Sequence, residues 1–274
     1  MVFAKDKNYT VVGRKKLRED GLYVGDFVDF DENEKVINAV YSRKNILIRP
    51  PLSNVTQMII VVAKKPQPDF YLVDKLLIKC FSLGINPILC VNKVDLVEEY
   101  FKNEILAQYK NVCKIIFTSA KTQEGIEELK GYLVGNLTVF AGQSAVGKSS
   151  ITNIIFPEAN KETGELSIKN QRGKNCTRHN EIYILPNGAM LADTAGFSAF
   201  DVDNIDAKQL CDFYPEFSKY ANKCAYSTCI HIGEKEELCA IKKAVKDTTI
   251  NKERYNRYCE IYKQQKLKED KKYD

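Results

Sequence analysis

The sequence predicts an α/β fold built on a parallel β-sheet that helices cover on both faces. Between residues 58 and 192, short apolar runs alternate with segments whose apolar residues recur at helical spacing, which is typical of such a sheet. The chain before this region alternates apolar and polar residues over short stretches, and the chain after residue 206 is rich in Cys, Lys and Tyr. We therefore predict three units, residues 1–50, 51–205 and 206–274.

The first unit is predicted to be small and all-β. Alternating stretches begin at Tyr9, Asp26 and Lys35 and are separated by turn-like sequences, as expected of short strands with one buried face. Arg49-Pro50-Pro51 is expected to end the unit, because proline cannot donate a hydrogen bond to a strand ladder and restricts the residue before it.

The second unit is predicted to contain the sheet. Its expected strands are Met58–Ala63, Pro87–Val91, Lys114–Thr118, Leu137–Ala141, Glu181–Leu185 and Ala189–Ala192. Its expected helices are Asp74–Leu83, Glu124–Leu133 and Ser150–Phe156. Pro186-Asn187-Gly188 predicts a hairpin between the last two strands, since Asn-Gly favours the tight turns of hairpins.

A phosphate-binding loop is the strongest motif in the chain. The pattern GxxxxGK[ST] follows the strand Leu137–Ala141 and precedes the helix Ser150–Phe156, which is the context that the motif requires. Its residues, with the serine that follows, are Gly142, Gln143, Ser144, Ala145, Val146, Gly147, Lys148, Ser149 and Ser150. The glycines let successive backbone N–H groups face the phosphates. Lys148 is expected to reach the outer phosphates, and Ser149 to bind Mg²⁺.

The residues Asn92, Lys93, Val94 and Asp95 predict guanine as the base of the nucleotide. They follow the strand Pro87–Val91, and the two oxygens of the Asp95 carboxylate match the ring N–H and the exocyclic amine of guanine. Adenine lacks this pair of donors and would leave a buried carboxylate unpaired, which is costly. Asn92 is expected to brace the loop and Lys93 to lie along the base.

Two further loops follow predicted strands. Ser119, Ala120 and Lys121 come after Lys114–Thr118 and are expected to offer backbone N–H groups to the edge of the base. Asp193-Thr194-Ala195-Gly196 comes after Ala189–Ala192. Asp193 suits a water-mediated contact with Mg²⁺, and Gly196 lets its N–H approach a terminal phosphate. The carboxyl ends of parallel strands meet at one edge of a sheet, so the four loops are expected to converge.

The order of these loops along the chain is unusual. In most GTPases the phosphate-binding loop comes first and the base-reading loops come last, whereas here Asn92–Asp95 and Ser119–Lys121 precede Gly142–Ser149. The loops can still converge, because the site depends on strand positions in the sheet and not on chain order. The sequence therefore predicts a circularly permuted P-loop GTPase domain.

Three cysteines and one histidine predict a structural metal site in the third unit. The spacing Cys224-x4-Cys229-x-His231-x7-Cys239 places the four within sixteen residues. Three thiolates and an imidazole suit a tetrahedral Zn²⁺ with no open position for chemistry, and so short a region needs such a staple to fold. Cys211 and Cys259 are the alternative ligands.

Cysteine usage and the lack of long apolar runs predict a cytoplasmic protein. The nine cysteines are odd in number, and Cys80, Cys90 and Cys113 lie in apolar runs, where a reduced cysteine behaves as a small hydrophobe. The first residues lack the apolar core of a signal peptide, and no apolar run reaches the roughly 18–20 residues that span a bilayer.

The net charge of +5 comes entirely from the C-terminal tail, where eleven Lys/Arg and six Asp/Glu follow from Lys242 onward. Tyr255, Tyr258 and Tyr262 are interleaved with these charges, and such a surface attracts polyanions. A solvated helix of alternating charge is an equally good interpretation.

The chain resembles the RsgA (YjeQ) family of small-ribosomal-subunit-dependent GTPases of bacteria. The resemblance rests on Arg49-Pro50-Pro51-x-x-Asn54-Val55, the permuted loops and the Cys/His cluster followed by Ala240. It implies an N-terminal OB-fold β-barrel, a circularly permuted GTPase domain and a small C-terminal zinc-binding helical domain. It also implies GTP or GDP, Mg²⁺ and one structural Zn²⁺ as ligands, and the small ribosomal subunit with its rRNA as partner during late maturation. We expect a monomer that does not enter a membrane.

Basic residues near the N-terminus are expected on the RNA-facing side of the OB-fold. They are Arg14, Lys15, Lys16 and Arg18. A solvated loop explains them equally well. The N-terminal unit also looks short, which is compatible with a trimmed first strand.

The switch loop departs from the family pattern Gly-x-His-Thr-Thr-Thr, because this chain has Gly173-Lys-Asn175-Cys-Thr177-Arg. Thr177 is expected to sense Mg²⁺, and Asn175, Thr177 and Gly196 are the expected catalytic residues. His179 is the alternative proton acceptor. We favour a solvent-facing position for it, since phosphoryl transfer needs positioning more than a base.

Three functions remain compatible with these motifs. The first is a GTP-hydrolysing assembly factor for the small ribosomal subunit. The second is an RNA-binding protein that holds GTP without turnover, which the replacement by Asn175 leaves open. The third, a P-loop kinase, is disfavoured because Asp95 and Ser119–Lys121 specify guanine.

Overall fold

The computed structural model describes residues 1–5, 7–48, 51–157, 181–193 and 205–271, without the side chains of Arg18 and Asp193. Its strands are β1 (Val2–Ala4), β2 (Lys7–Tyr9), β3 (Val12–Gly13), β4 (Val28–Asp31), β5 (Val36–Val40), β6 (Ile46–Ile48), β7 (Pro51–Ser53), β8 (Gln57–Val62), β9 (Asn86–Val91), β10 (Lys114–Phe117), β11 (Leu137–Ala141), β12 (Glu181–Ile184) and β13 (Met190–Asp193). Its α-helices are α1 (Lys15–Glu19), α2 (Phe70–Ser82), α3 (Glu99–Tyr109), α4 (Ile126–Leu133), α5 (Lys148–Ile155), α6 (Ser218–Ala221), α7 (Ala240–Lys246) and α8 (Lys252–Asp270). Segments of 3₁₀ helix cover Val94–Leu96, Ala207–Phe213, Pro215–Phe217 and Glu236–Leu238.

A six-stranded sheet forms the middle unit, with the strand order β10-β9-β8-β11-β13-β12. Neighbouring strands are parallel except at one edge, where β12 pairs antiparallel with β13. These two strands are joined through Gly188, whose φ of +80° suits the predicted Asn-Gly turn. The predicted α/β sheet and its terminal hairpin are therefore confirmed.

The side chains of β8 show that both faces of the sheet are buried. Met58 and Ile60 pack into one core with α2 and α3, whereas Ile59 and Val61 pack into a second core with α4 and α5. All six residues of β8 are buried. A parallel strand with no solvent face consists of continuous apolar residues, which explains the uninterrupted run in the sequence.

Helix α3 is the main element of the sheet domain that the sequence analysis does not predict. Its buried apolar residues are Phe101, Ile105 and Tyr109, and most of its other positions are polar or charged. Helix α2 begins earlier than predicted, because the carboxylate of Asp69 accepts a hydrogen bond from the Leu72 N–H and caps the helix.

Short strands form the N-terminal unit, as predicted. Strands β1 and β2 pair, β3, β5 and β4 form a three-stranded sheet, and β6 pairs with β7. The predicted stop at Arg49-Pro50-Pro51 differs in detail, because Pro51 is the first residue of β7 and lies opposite Ile48 of β6. Proline is tolerated at the first residue of a strand.

Two buried asparagines attach the N-terminal unit to the sheet domain. The side-chain amide of Asn45 donates to the carbonyls of Val55 at 2.8 Å and of Leu83, just beyond α2, at 3.2 Å. The side-chain amide of Asn54 donates to the carbonyl of Gly25 at 2.9 Å. Both amides are buried and hydrogen-bonded, which is what makes a polar junction stable.

The C-terminal unit packs directly on α2. Its core contains Tyr214, Phe217, Tyr258 and Ile261, and it also includes Ile78 of α2. The core of this unit is therefore shared with the sheet domain.

The tail that carries the net charge is mostly helix α8, and one face of this helix is buried. Tyr258 is 1% exposed, and Tyr255 and Tyr262 pack against the same core. The three rings therefore pack in or against the core and do not form the exposed aromatic part of the predicted polyanion-binding surface, and α8 is not solvated on all sides. Polyanion binding by the exposed lysines of the tail stays a prediction. Within the described residues, no helix has both the length and the apolar character to cross a bilayer.

A buried ion cluster joins α8 to α2. The carboxylate of Asp74 accepts from Arg254 Nη1 at 2.6 Å and from Arg257 Nε at 2.5 Å. Glu216 accepts from Arg254 Nε at 2.5 Å, and the hydroxyl of Tyr109 donates to Asp74 at 3.0 Å. Burial alone would lower the pKa of Arg254, but the neighbouring carboxylates raise it above its ordinary value. Arg254 therefore stays charged although its side chain is almost fully buried.

Replacing Asp74 by Ala is expected to lower the free energy of unfolding by about 3–5 kcal/mol, because the buried arginines lose their shared carboxylate. Urea unfolding followed by far-UV circular dichroism measures this loss. Glu127→Ala is the control, since Glu127 forms an exposed ion pair with Lys130 at 2.7 Å and such pairs contribute about 0–1 kcal/mol. Equal losses in the two variants would contradict a stabilising role for the cluster.

Candidate nucleotide and metal sites

Three predicted loops meet at the carboxyl edge of the sheet. They follow β9, β10 and β11, with β8 between β9 and β11. Hydrogen bonds connect them, since the side-chain amide of Asn92 donates to the carbonyl of Val146 at 2.9 Å and its oxygen accepts from the Ala120 N–H at 3.2 Å. The loops therefore converge although the phosphate-binding loop comes last along the chain.

The shape of the phosphate-binding loop depends on two glycines. Gly142 has a φ of +127°, and a Cβ there would lie 2.3 Å from the carbonyl oxygen of Val61. Gly147 has a φ of +98°, and a Cβ there would lie 2.2 Å from the side-chain nitrogen of Asn92. A larger residue at either position would displace a neighbouring strand or the base-reading loop.

Lys148 lies against the curve of the same loop, at the start of α5. Its Nζ donates to the carbonyls of Gly142 and Gln143, each at 2.7 Å. Partial burial lowers the pKa of Lys148. Ser149 and Ser150 follow it and are exposed. The loop thus opens on the amino end of a helix, where anions are favoured by backbone N–H groups and the helix dipole.

Lys93 connects the base-reading loop to its neighbours. The residue has a left-handed backbone, with φ +64° and ψ +38°. Its Nζ donates to the carbonyl of Lys65 at 3.0 Å and to that of Ala145 at 2.8 Å. The aliphatic stem therefore crosses from the base-reading loop to the phosphate-binding loop.

The carboxylate of Asp95 is held by a neighbouring loop. The hydroxyl of Ser119 donates to Asp95 Oδ1 at 2.6 Å and accepts from the N–H of Thr122 at 3.1 Å. Sequence reasoning expects a buried carboxylate, whereas Asp95 is exposed. The sequence analysis did not predict that the Ser119 hydroxyl binds Asp95. The only indication in the sequence is that a serine begins this loop.

Two of the backbone N–H groups expected at the edge of the base already have partners. The N–H of Ser119 donates to the carbonyl of Glu124 at 3.0 Å, and that of Ala120 to Asn92. Lys121 is exposed beside them. Val94 and Val146 pack into the hydrophobic cores, so only their backbones face the site.

The phosphate-sensing residues are only partly described. Asp193 ends β13 beside β12, at the same edge of the sheet as the other loops, and only its backbone is described. Asn175, Thr177, His179 and Gly196 lie outside the described residues.

The four predicted metal ligands come together in the C-terminal unit. The ligand atoms of Cys224, Cys229, His231 and Cys239 all lie within 4.8 Å of one another. His231 Nδ1 lies 3.6, 3.3 and 3.6 Å from the three sulfurs. A tetrahedral centre with Zn–S of about 2.3 Å and Zn–N of about 2.0 Å separates N and S by about 3.5 Å. The residues therefore fit a zinc ion, and Cys211 and Cys259 are not part of the cluster.

Helices α7 and α8 support the loop that carries the Cys/His cluster. The hydroxyls of Tyr255 and Tyr258 donate to the carbonyls of His231 and Ile230 at 2.7 and 2.6 Å. The N–H of Ala240 donates to the sulfur of Cys224 at 3.3 Å. Burial lowers the pKa of His231, which keeps its imidazole neutral and able to ligate. The two tyrosines are supporting residues that the sequence analysis did not identify.

Comparisons with known proteins agree with this geometry. The family model described as the RsgA GTPase matches residues 40–203. The Small ribosomal subunit biogenesis GTPase RsgA of Clostridium acetobutylicum is 43% identical over 254 residues, which cover 90% of this chain and 86% of that protein. The protein of the same name from Alkaliphilus metalliredigens is 37% identical over 262 residues, covering 92% and 89%.

Two solved structures share the fold. YjeQ from Thermotoga maritima has a TM-score of 0.79 and 33% identity, covering 92% of this chain and 88% of that one. YloQ, described as a circularly permuted GTPase, has a TM-score of 0.77 and 30% identity, covering 96% and 88%. The predicted circular permutation is confirmed, and the chain belongs to the RsgA GTPase family.

Proposed function

We propose that this protein is a cytoplasmic, Mg²⁺-dependent GTPase that binds the small ribosomal subunit and its rRNA during late maturation, and that the subunit stimulates its turnover. The observation that carries this proposal is the convergence of Asn92–Asp95 and Ser119–Lys121 on the loop Gly142–Ser149 in permuted order. Relatives of this architecture are named small ribosomal subunit biogenesis GTPases.

Each loop has a distinct task in this proposal. Asp95, oriented by the Ser119 hydroxyl, pairs with the donors of guanine. The backbone N–H groups of the phosphate-binding loop and the ammonium of Lys148 bind the phosphates. Ser149 and Thr177 would hold Mg²⁺, which neutralises charge on the phosphates when it is bound. The groups that position water belong to the switch segments around Asn175 and Gly196.

We further propose that Cys224, Cys229, His231 and Cys239 hold a structural Zn²⁺. The four protein ligands complete a tetrahedral shell, so the ion would fold the loop and would not bind substrate. The proposed units are residues 1–50 for RNA binding, 51–205 for the nucleotide and 206–274 for zinc. Ile205 already packs in the core of the last unit.

Turnover is expected to be slow for the protein alone and to rise by orders of magnitude with small subunits. Phe197 follows Gly196 in the sequence, where many GTPases place a glutamine that orients water, and a phenyl ring cannot do so. Phosphate release from GTP, measured with and without purified subunits, tests this. Lys148→Ala is the control and should lose both rates. Fast turnover without subunits would contradict the prediction, and no turnover with them would support a protein that only holds GTP.

Asp95→Asn is expected to weaken GTP binding by about 1.5–3 kcal/mol, roughly 10- to 150-fold, and to favour xanthine nucleotides. The introduced amide keeps an oxygen for the Ser119 hydroxyl and offers a donor where xanthine has a carbonyl. Titration with GDP and xanthosine diphosphate measures both effects. Glu98→Gln is the control, because Glu98 is exposed nearby and pairs with Lys64 at 3.6 Å. Unchanged GDP affinity for Asp95→Asn would contradict the assigned base site.

Cys229→Ser is expected to lose zinc and to unfold the C-terminal unit while GDP affinity is largely kept. The ligands lie within residues 224–239, far from the nucleotide loops along the chain, and metal binding supplies folding free energy there. Zinc content, circular dichroism and GDP titration provide the readouts. Cys259→Ser, outside the cluster, should retain zinc. Joint loss of zinc and GDP affinity would show that the two sites are not separable.

A further inference from the structure

The backbone of His231 adopts a left-handed conformation within the Cys/His cluster. Its φ is +64°, a region in which the Cβ crowds the following carbonyl and which residues other than glycine seldom adopt. In this conformation Nδ1 of His231 lies 3.3 Å from the sulfur of Cys229, which is only two residues earlier in the chain. A backbone of this kind persists only where surrounding contacts hold it.

Two hydroxyl groups of α8 hold the peptide groups on either side of His231. The hydroxyl of Tyr258 donates to the Ile230 carbonyl at 2.6 Å, and that of Tyr255 donates to the His231 carbonyl at 2.7 Å. The Ile230 carbonyl belongs to the peptide group before His231, and the His231 carbonyl belongs to the one after it. The angles φ and ψ are the rotations that relate these two planes, so holding both carbonyls fixes the backbone of His231.

The imidazole ring of His231 is also in contact with the aromatic core. It meets the ring of Phe217 edge to face, with centroids 6.0 Å apart and ring planes at 85°. Phe217 meets Tyr258 in the same way at 5.1 Å, and both Tyr258 and His231 are buried. Contacts within the protein therefore set the position of the imidazole as well as that of its backbone.

The two tyrosines alternate with the two arginines that dock α8 on the sheet domain. Arg254 and Arg257 each precede one of the tyrosines, and both bind the carboxylate of Asp74 on α2. Tyr255 and Tyr258 are three residues apart and so project from one side of the helix, about 100° around it from the arginines. Helix α8 thus connects α2 to the loop that carries the Cys/His cluster, and a shift of α8 would move both hydroxyls.

We propose that Tyr255 and Tyr258 are positioning residues for the zinc site, and that the docking of α8 on α2 determines how firmly the site holds the ion. Zinc retention then depends on Asp74, a residue of the nucleotide-binding domain. This inference rests on the zinc ion of the proposed function. Groups that orient metal ligands without touching the metal change metal affinity by about 10- to 100-fold when they are replaced.

Transfer of zinc from the zinc-loaded full-length protein to excess pyridylazoresorcinol, a chromogenic chelator, tests the role of the hydroxyls. Tyr255→Phe/Tyr258→Phe is expected to release zinc about tenfold faster than the parent protein, because the rings remain while both carbonyls lose their donors. Tyr262→Phe is the matched control and should match the parent. Tyr262 is one turn further along α8 and packs against the same core, but within the part of the chain that the structure describes its hydroxyl does not bond to residues 224–239.

Substitution of zinc by Co²⁺ distinguishes positioning from packing. The visible absorption bands of Co²⁺ depend on its ligands and their geometry. The double phenylalanine variant should therefore show shifted and weaker bands, because the imidazole is no longer held at its position, whereas Tyr262→Phe should reproduce the parent spectrum.

The single variants Tyr255→Phe and Tyr258→Phe test whether the two hydroxyls act together. Either substitution frees one of the two peptide groups that fix His231, so each alone should give most of the faster release. The second substitution should add less than the first, as expected of groups that share one partner residue.

Asp74→Asn tests the dependence on α2. The amide keeps the volume of the carboxylate but lacks its charge, so it weakens the hold on Arg254 and Arg257 without opening a cavity. Zinc release should be several-fold faster than from the parent. Arg257→Gln, which leaves the pair of Arg254 and Asp74 in place, is a milder version of the same test. Glu127→Gln, which alters an exposed ion pair on α4, should leave the release rate unchanged.

Circular dichroism and GDP affinity of the zinc-loaded proteins establish that each variant is folded. A parent-like release rate in the double phenylalanine variant would overturn the role of the hydroxyls, and parent-like rates in both Asp74→Asn and Arg257→Gln would overturn the dependence on α2. Faster release together with lost GDP affinity would also overturn the proposal, since it would reflect general unfolding. A parent protein that purifies without zinc would contradict the proposed metal site itself, whereas a zinc-containing parent with unaffected variants contradicts the positioning role alone.

Discussion

The arrangement of the nucleotide site depends on one buried side-chain amide, that of Asn92. Its nitrogen donates to the carbonyl of Val146 in the phosphate-binding loop, and its oxygen accepts from the N–H of Ala120 in the second base-reading loop. Asn92 is 1% exposed, so an unpaired amide there would carry the full penalty of desolvation. The glycine at 147 leaves the space that this amide occupies. These contacts join separate loops, so they do not depend on the order of the loops along the chain. Circular permutation therefore leaves the site intact.

Helix α2 is the common support of the three units. At its start the N–H of Asp69 donates to Gln143 of the phosphate-binding loop at 3.3 Å. In its middle Asp74 and Ile78 contact the C-terminal unit, and just beyond its end the carbonyl of Leu83 accepts from Asn45 of the N-terminal unit. The surfaces proposed to contact the ribosomal subunit are therefore attached to the same helix that borders the nucleotide site.

The C-terminal unit combines two means of stabilisation that suit a small core. Three cysteines and one histidine of one loop cluster as the proposed zinc site, and the ion cluster at Asp74 docks α8 on α2. Buried ion pairs add little net stability compared with apolar packing. A buried charge is costly in any arrangement in which it lacks its partner, so such pairs disfavour alternative packings. The two arginines of α8 thus favour one position of this helix on α2.

The sequence alone was sufficient to predict the sheet strands, the terminal hairpin, the convergence of three loops in permuted order and the clustering of three cysteines with one histidine. These features depend on residue types at short, regular spacing, which is a local property. Helix α3 was not predicted because only three of its residues are apolar and pack inward, so its sequence shows little helical periodicity of apolar residues. Only the tertiary structure decided that Ser119 orients Asp95 and that Asp74 is the counter-ion of Arg254. It also decided that Tyr258 is a core residue, whereas Phe27 and Tyr41 are exposed. The two contacts join residues that are distant along the chain, and the burial of each aromatic ring depends on which elements pack against it. Strand order and helix docking determine the contacts and the burial alike.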